Sequence, residues 1–362
     1  MPASNNNPVV IDVQNLSVGF TVRGKKTNVI RNISLKVYKG ETLAIVGESG
    51  SGKSVTTKTF TGMLDSNGFI SSGHIYFDGV DLTTLKTNKE WAQIRGKKIA
   101  TIFQDPMTSL NPLLTIGYQI SEVLKLHHGL TDVEAKEEAI RLLDKVRIPN
   151  PADRYNDYPF QYSGGMRQRV VIAIALACRP EVLICDEPTT ALDVTVQAQI
   201  IELIKELQSE YQWTTIFITH DLGVVANVAD RIAVMYGGQV VEYGTVEDVF
   251  YQPEHPYTWA LLCSLPQLGT KEEPLSFIVG NPPSFASEIV GDAFAPRNDY
   301  AMNIDFVAEP PVFEVSETHW AKTWLLDPRA PKVEKPKVIQ ELHERMKRAA
   351  QELKRQEGDL SE

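Results

Sequence analysis

Compact apolar runs alternate with helically spaced apolar positions from residue 9 to about residue 260. Thr42-Leu-Ala-Ile-Val46 is one such run, and it ends in glycine. Val182-Leu-Ile-Cys185 and Thr214-Thr-Ile-Phe-Ile-Thr219 have the same form. Short runs without polar alternation predict strands of a parallel sheet covered on both faces. Between the last two, Val196, Ile200, Leu203, Ile204 and Leu207 recur at the spacing of one helix face. Strand–helix alternation of this kind predicts an α/β fold.

The pattern changes at residues 117–147. Ile120, Val123 and Leu124, then Ala139, Leu142, Leu143 and Val146, predict two helices, with Gly129 and Thr131 as stop and cap between them. This makes a helical insert, placed at about 105–170, within a core that runs from residue 1 to 263. From 264 to 330 prolines multiply (Pro266, Pro274, Pro282-Pro283, Pro310-Pro311), which predicts a second, loop-rich region. Residues 331–362 form a charged tail. There Val338, Leu342, Met346 and Leu353 lie near one face of a helix that is either a marginal surface element or a docking element. No internal repeat is evident.

Composition narrows the class. The chain has 362 residues, 43% of them hydrophobic, enough apolar surface to build a core. Its 36 Lys+Arg against 46 Asp+Glu leave a net charge of −10, which disfavours general nucleic-acid binding. Cys178, Cys185 and Cys263 are too few and too scattered for a disulfide framework, and they suit a reducing compartment. The Asn-rich start is not expected to be a signal peptide. The longest apolar candidate, Val170 to Cys178, ends at Arg179-Pro180, far short of the ~20 residues that a membrane helix needs. If this protein works at a membrane, another chain must do the spanning.

Two segments carry the chemistry. Gly47-Glu-Ser-Gly-Ser-Gly-Lys53-Ser54 matches G-x-x-x-x-G-K-[ST] and follows a predicted strand. Gly47, Gly50 and Gly52 let the backbone wrap phosphate closely, so that successive N–H groups, including those of Ser49 and Ser51, point inward. A following helix adds positive dipole. Lys53 can reach the β- and γ-phosphates of a bound nucleotide, and Ser54 can bind Mg²⁺. The Val182 strand ends in Asp186 and Glu187. Ligands of open α/β sheets bind at that end, so Asp186 can hold Mg²⁺ through water and Glu187 can orient or deprotonate an attacking water. Cys185 reads as a packed strand residue.

Tyr162-Ser163-Gly164-Gly165-Met166-Arg167-Gln168-Arg169 resembles the signature segment of the ABC (ATP-binding cassette) ATPases. Ser163 at a helix start and two bare glycines suit a contact to a γ-phosphate from outside the chain. The usual Leu and Gln of the motif are here Tyr162 and Met166. The resemblance implies a phosphate-loop NTPase cassette with a RecA-like core sheet and a helical subdomain. It also implies roles for other residues. Gln104 would contact Mg²⁺ and water and sense a membrane partner. Asp193, in Ala191-Leu192-Asp193, would cross a dimer interface. His220 would contact the γ-phosphate, although taken alone it reads as a packed or solvated residue. Phe20 would stack on adenine, the alternative being a core phenylalanine.

Three longer stretches sharpen the likeness: residues 104–112, 191–199 and 255–261 resemble the oligopeptide/dipeptide importer subgroup of the OppD/DppD type. Gly280-Asn-Pro-Pro-Ser284 and Phe294-Ala-Pro-Arg297 resemble its C-terminal extension. Members often carry four cysteines there that hold an iron–sulfur cluster. The corresponding positions here are Asp292, Asn298, Asp305 and Thr323, so no cluster is expected. An oxygen-ligated hard cation, or plain loop packing, are the two replacements.

The resemblance implies an ATPase on the cytoplasmic face of the cell membrane. It would act as a cassette dimer with a second ATPase subunit of the OppF/DppF type. Two integral membrane permease subunits and an extracytoplasmic peptide-binding protein would complete the importer. Importers of nickel, glutathione or oligosaccharides, and more distantly a soluble non-transport cassette acting on ribosomes or DNA, are the rival readings.

Overall fold

The structure, a computed structural model, describes residues 7–190, 192–265, 278–285, 289–342 and 344. Two sheets organise it. The first begins with a hairpin of two long strands, β1 (Val9–Val22) and β2 (Lys25–Tyr38). Their two-residue loop, Arg23-Gly24, has both residues at positive φ (51° and 79°), the geometry that matches strand twist in tight hairpins. After β3 (Thr42–Val46), β4 (Gly68–Phe77) and β5 (Val80–Asp81) complete a four-stranded antiparallel sheet, ordered β2-β1-β4-β5.

The second sheet adds β6 (Ile99–Ile102), β7 (Val182–Asp186), β8 (Thr214–Thr219), β9 (Arg231–Tyr236), β10 (Gln239–Thr245), β11 (Phe313–Glu314) and β12 (Trp320–Ala321) to β3. Its order is β11-β12-β10-β9-β3-β8-β7-β6. The five strands from β9 to β6 are parallel. β10, β12 and β11 then pair antiparallel on the far side. The three runs read as buried strands are β3, β7 and β8, and nearly every residue in them is buried. The antiparallel sheet and the antiparallel end of the main sheet go beyond the parallel sheet that the pattern predicted.

Three apolar clusters result. One lies between the two sheets, joining Ile11, Val18, Ile30 and Leu35 to Leu43, Ile45, Ile216 and Ile218. The second joins the main sheet to the helical insert through Ile102, Ile120, Leu143, Val170, Ile200 and Leu203. The third, on the opposite face, gathers Val46, Val225, Tyr236, Tyr257 and Trp259 with Phe294 from the C-terminal part.

The insert has the two expected helices, Ile116–His128 and Asp132–Lys145. Gly129 ends the first at φ 67°, and Thr131 caps the second in a reciprocal box with Glu134. The apolar run at Val170 belongs to the helix Gly164–Ala177 and is buried in the second cluster. Among the described residues no helix is long and apolar enough to cross a membrane. The repeat from Val196 to Leu207 forms the helix Val194–Tyr211, capped by Asp193.

Besides Phe294, a strand and the tail tie the C-terminal part to the core. β12 pairs with β10 through Ala321 and Trp320. In the tail, residues 337–342 are helical. Ile339, 2% exposed, packs into the third cluster, whereas Val338 and Leu342, the positions read from the sequence, are only half-buried. Lys335 pairs with Glu254 at 2.8 Å. Met346 and Leu353 lie outside the described residues.

Candidate nucleotide site

Four neighbouring parallel strands end at one edge and deliver the chemistry there. β3 runs into the glycine loop, β8 into His220, β7 into Asp186 and Glu187, and β6 toward Gln104. The C-terminal edge of an open α/β sheet is where ligands bind.

The loop from Gly47 to Gly52 needs its glycines. Gly47 lies at φ 149°, and a Cβ there would stand 2.1 Å from the Met235 carbonyl oxygen. Gly50 and Gly52 lie at φ 80° and 105°. Gly52 then starts the helix Lys53–Phe60. Ser49 and Gly50 are exposed at the tip. The Lys53 ammonium is buried and donates to the Gly47 and Glu48 carbonyls at 2.8 and 3.0 Å. Burial pulls it below its ordinary pKa, and the carboxylates of Glu187, Asp186 and Glu48 oppose that shift. The Ser51 hydroxyl is buried without a hydrogen-bond partner, an orphaned donor at the place where a phosphate oxygen would accept.

Ser54 Oγ donates to Asp186 Oδ1 at 2.8 Å. Burial pushes Asp186 above its usual carboxylate range, against the Ser54 bond that favours its charged form. Two oxygen donors in contact beside the loop suit a hard divalent cation. Glu187 follows in a left-handed conformation (φ 47°), its N–H donating to the Ile218 carbonyl at 3.0 Å. Strain of this kind in a non-glycine residue gathers at functional sites. Its carboxylate accepts from Gln104 Nε2 at 3.2 Å and Thr190 Oγ1 at 2.9 Å, and lies 3.6 Å from His220 Nδ1. A half-open pocket of about 660 Å³ is lined by Gly47, Glu48, Ser49, Glu187, His220 and, from beyond the core, Ile278 and Pro282.

The structure therefore gathers Gly47–Ser54, Gln104, Asp186, Glu187 and His220. It does not bring the others to them. Ser163 caps the helix Gly164–Ala177, accepting from Met166 N at 3.3 Å. Ser163 and Gly164 are exposed, and Gly164 and Gly165 abut Leu192 and Val196 rather than the glycine loop. Asp193 is exposed beside them, and Ala191 lies outside the described residues. Phe20 sits half-buried on β1, paired with Thr27 and Gly68. Tyr162 fills its place as a buried ring whose hydroxyl donates to the Arg154 carbonyl at 2.9 Å.

The reading of the sequence missed Thr190, Tyr257 and Arg297. Thr190 stands three residues after Glu187, a signal at hand. Tyr257 and Arg297 reach the loop from more than 200 residues away. The Tyr257 hydroxyl accepts from Glu48 N at 2.8 Å.

At the four positions that the resemblance pairs with cysteines the side chains are engaged locally. Asp292 accepts from Phe294 N (2.9 Å), Asn298 from Tyr300 N (3.0 Å), Asp305 from Met302 N (2.7 Å) and Thr323 from Leu325 N (3.3 Å). Among the described residues no group of three or more His, Cys, Asp or Glu is placed to hold a metal ion.

Known proteins are similar to this chain in sequence and in fold. The family profile described as ABC transporter matches residues 30–190, and that described as oligopeptide/dipeptide transporter, C-terminal region, matches residues 241–304. The oligopeptide transport ATP-binding protein AmiE of Streptococcus pneumoniae is 64% identical over 339 residues, covering 94% of this chain and 96% of that one. OppD of Bacillus subtilis is 55% identical (91% and 92% covered). The dipeptide transport protein DppD of Lactococcus lactis is 56% identical (90% and 93% covered). Among solved structures, a dimeric ATP-binding cassette in a post-hydrolysis state with ADP and Pi superposes with a TM-score of 0.59 at 28% identity, covering 65% of this chain and 98% of that one. A cassette from Clostridium perfringens, part of an ABC transporter complex, gives 0.58 at 29% identity, covering 67% and 91%.

Proposed function

As this chain belongs to the ABC transporter family, among its oligopeptide and dipeptide transport ATP-binding proteins, we propose that it hydrolyses ATP to power peptide import through a membrane complex. The observation that carries this reading is the convergence of Lys53, Ser54, Asp186, Glu187, Gln104 and His220 at the ends of adjacent strands.

The glycine loop and Lys53 take the β- and γ-phosphates of ATP. Ser54 and Asp186 would hold Mg²⁺, with Gln104 beside them, and the ion supplies neutralising charge at the phosphates. Glu187 accepts the proton of a water whose oxygen attacks the γ-phosphorus; the bond to the β–γ bridging oxygen breaks, releasing ADP and phosphate. Gln104 and Thr190 hold the Glu187 carboxylate in aim, and His220 bonds the γ-phosphate. Phe20 stacks on adenine.

Ser163 and Gly164 are exposed, and Gly164 and Gly165 pack beside Leu192 and Val196 rather than against their own glycine loop, which supports a role in a second cassette's site, with Asp193 crossing between the two. ATP then acts as glue between this chain and a related ATPase of the OppF/DppF type. Closure and release of that dimer drive two membrane permease subunits, and an extracytoplasmic binding protein delivers the peptide. The chain works peripherally at the cytoplasmic face of the membrane, without nucleic acid. No iron–sulfur cluster belongs to this reading, since such clusters are held by thiolates and the resemblance pairs the cysteine positions with Asp292, Asn298, Asp305 and Thr323.

The test uses Glu187→Gln as bait, purified with Mg-ATP from mildly solubilised native membranes. Two integral membrane chains and a second cassette are expected with it, and a captured binding protein then identifies the substrate. Ribosomes or DNA-processing proteins without any membrane chain would overturn the transporter reading. A binding protein specific for nickel, glutathione or oligosaccharide would overturn the peptide assignment alone.

A further inference from the structure

The phosphate loop contains a carboxylate, Glu48, beside the place of a strongly anionic triphosphate. Such a charge repels the substrate unless something neutralises it. Arg297, 249 residues away in sequence, does so. Its guanidinium donates to Glu48 Oε2 at 2.6 Å and to Oε1 at 3.0 Å, the paired geometry that only arginine offers. It is itself held by Tyr236 Oη (3.1 Å) and by the Val279 and Ile278 carbonyls (2.9 and 3.3 Å). Its side chain is 4% exposed, deep for a charged group. The fork is therefore fixed before any nucleotide arrives.

Glu48 is tied at every polar group. Its carboxylate meets Arg297, its N–H the Tyr257 hydroxyl, and its carbonyl the Lys53 ammonium. Displacing Glu48 displaces the support of Lys53. The same segment brings Ile278 and Pro282 to the wall of the pocket that Glu187 and His220 line.

We propose that Arg297 is a positioning residue for the phosphate loop, neutralising Glu48 and setting the Lys53 ammonium for the ATP phosphates, so that the C-terminal region tunes nucleotide affinity. This deepens the ATPase reading and rests on it. The experiment measures Mg-ATP affinity of the full-length chain, and KM and kcat of the complex recovered from membranes, for Arg297→Met, Arg297→Lys and the pair Arg297→Met/Glu48→Gln. Arg297→Met leaves the half-buried Glu48 carboxylate unpaired beside the phosphate site, so Kd and KM for ATP rise about tenfold while kcat changes less than about twofold. Arg297→Lys keeps charge without the fork and falls between, and it serves where Arg297→Met does not fold. Removing the Glu48 charge in the Arg297→Met background brings affinity back to within about threefold of wild type. A packing role alone would leave the double variant as weak as Arg297→Met. That result, or wild-type affinity in both Arg297 variants, overturns the proposal. Wild-type chain that binds no Mg-ATP would instead overturn the ATPase reading, and this inference with it.

Discussion

Glu187 is strained, partly enclosed and held by Gln104 and Thr190, an arrangement that suits the base proposed above, since it aims the carboxylate without neutralising it. A glutamine of the same shape keeps those hydrogen bonds and cannot accept the proton. Glu187→Gln should therefore leave the Kd for Mg-ATP unchanged within a factor of about two and lower kcat by about 10²–10⁴-fold, as single-turnover and equilibrium-binding measurements will report. A second residue, Asp292, speaks to pH. Burial pushes its carboxyl up to about 6, from 3.8. Between about pH 4 and 6 the unfolded chain has released this proton while the folded chain still holds it, so stability falls as pH rises through that window. Asp292→Asn keeps an acceptor for Phe294 N and has no proton to lose. Its unfolding free energy relative to wild type should climb by on the order of 2 kcal/mol from pH 4 to pH 6 and stay level above. Residues coded by local motifs, from Gly47 to Ser54 and Asp186 with Glu187, were legible in the sequence. Glu48 was visible only as a variable position of its motif, because its meaning comes from Arg297 and Tyr257, which only folding brings near.

At the scale of elements, β3, β7 and β8 could be read from uninterrupted apolar runs, since burial on both faces leaves no polar alternation to mislead. The first sheet could not. In β1 the buried positions step from Val13 to Leu16, and in β2 from Ile30 to Ile33. Irregular pairing at those points, with Asn15 and Asn32 at positive φ, shifts the phase of alternation and erases the two-residue period. The paired helices of the insert were legible because their caps are written in the chain. Their packing was not. Gly117 lies so close to Tyr155 that an added Cβ would meet the ring at 2.3 Å. The ring has little room to yield, because its hydroxyl is bonded to Ser121 at 2.8 Å. Gly117→Ala should cost about 1–3 kcal/mol in denaturant unfolding, mostly in the insert, while Mg-ATP affinity persists.

On the scale of the whole molecule, what no local pattern could supply is strand order. The order β3-β8-β7-β6 is what sets four strand ends side by side, although their strands are scattered from residue 42 to residue 219. The signature segment Ser163–Gly165 was read from its resemblance alone, and the fold adds that its helix start is solvent-exposed and packs beside Leu192 and Val196 rather than against the loop of its own chain. The far end of the same sheet has a different consequence. Without the pairing of Trp320 and Ala321 to Tyr243 and Glu242, β10 would present bare backbone donors and acceptors at the middle of an otherwise buried strand. Such an edge recruits strands from neighbouring molecules. Cutting the chain near residue 263 to isolate a minimal ATPase would thus create a sticky rim where the intact protein has a sealed one, and the C-terminal region acts as the hem that keeps this sheet from growing into its neighbours.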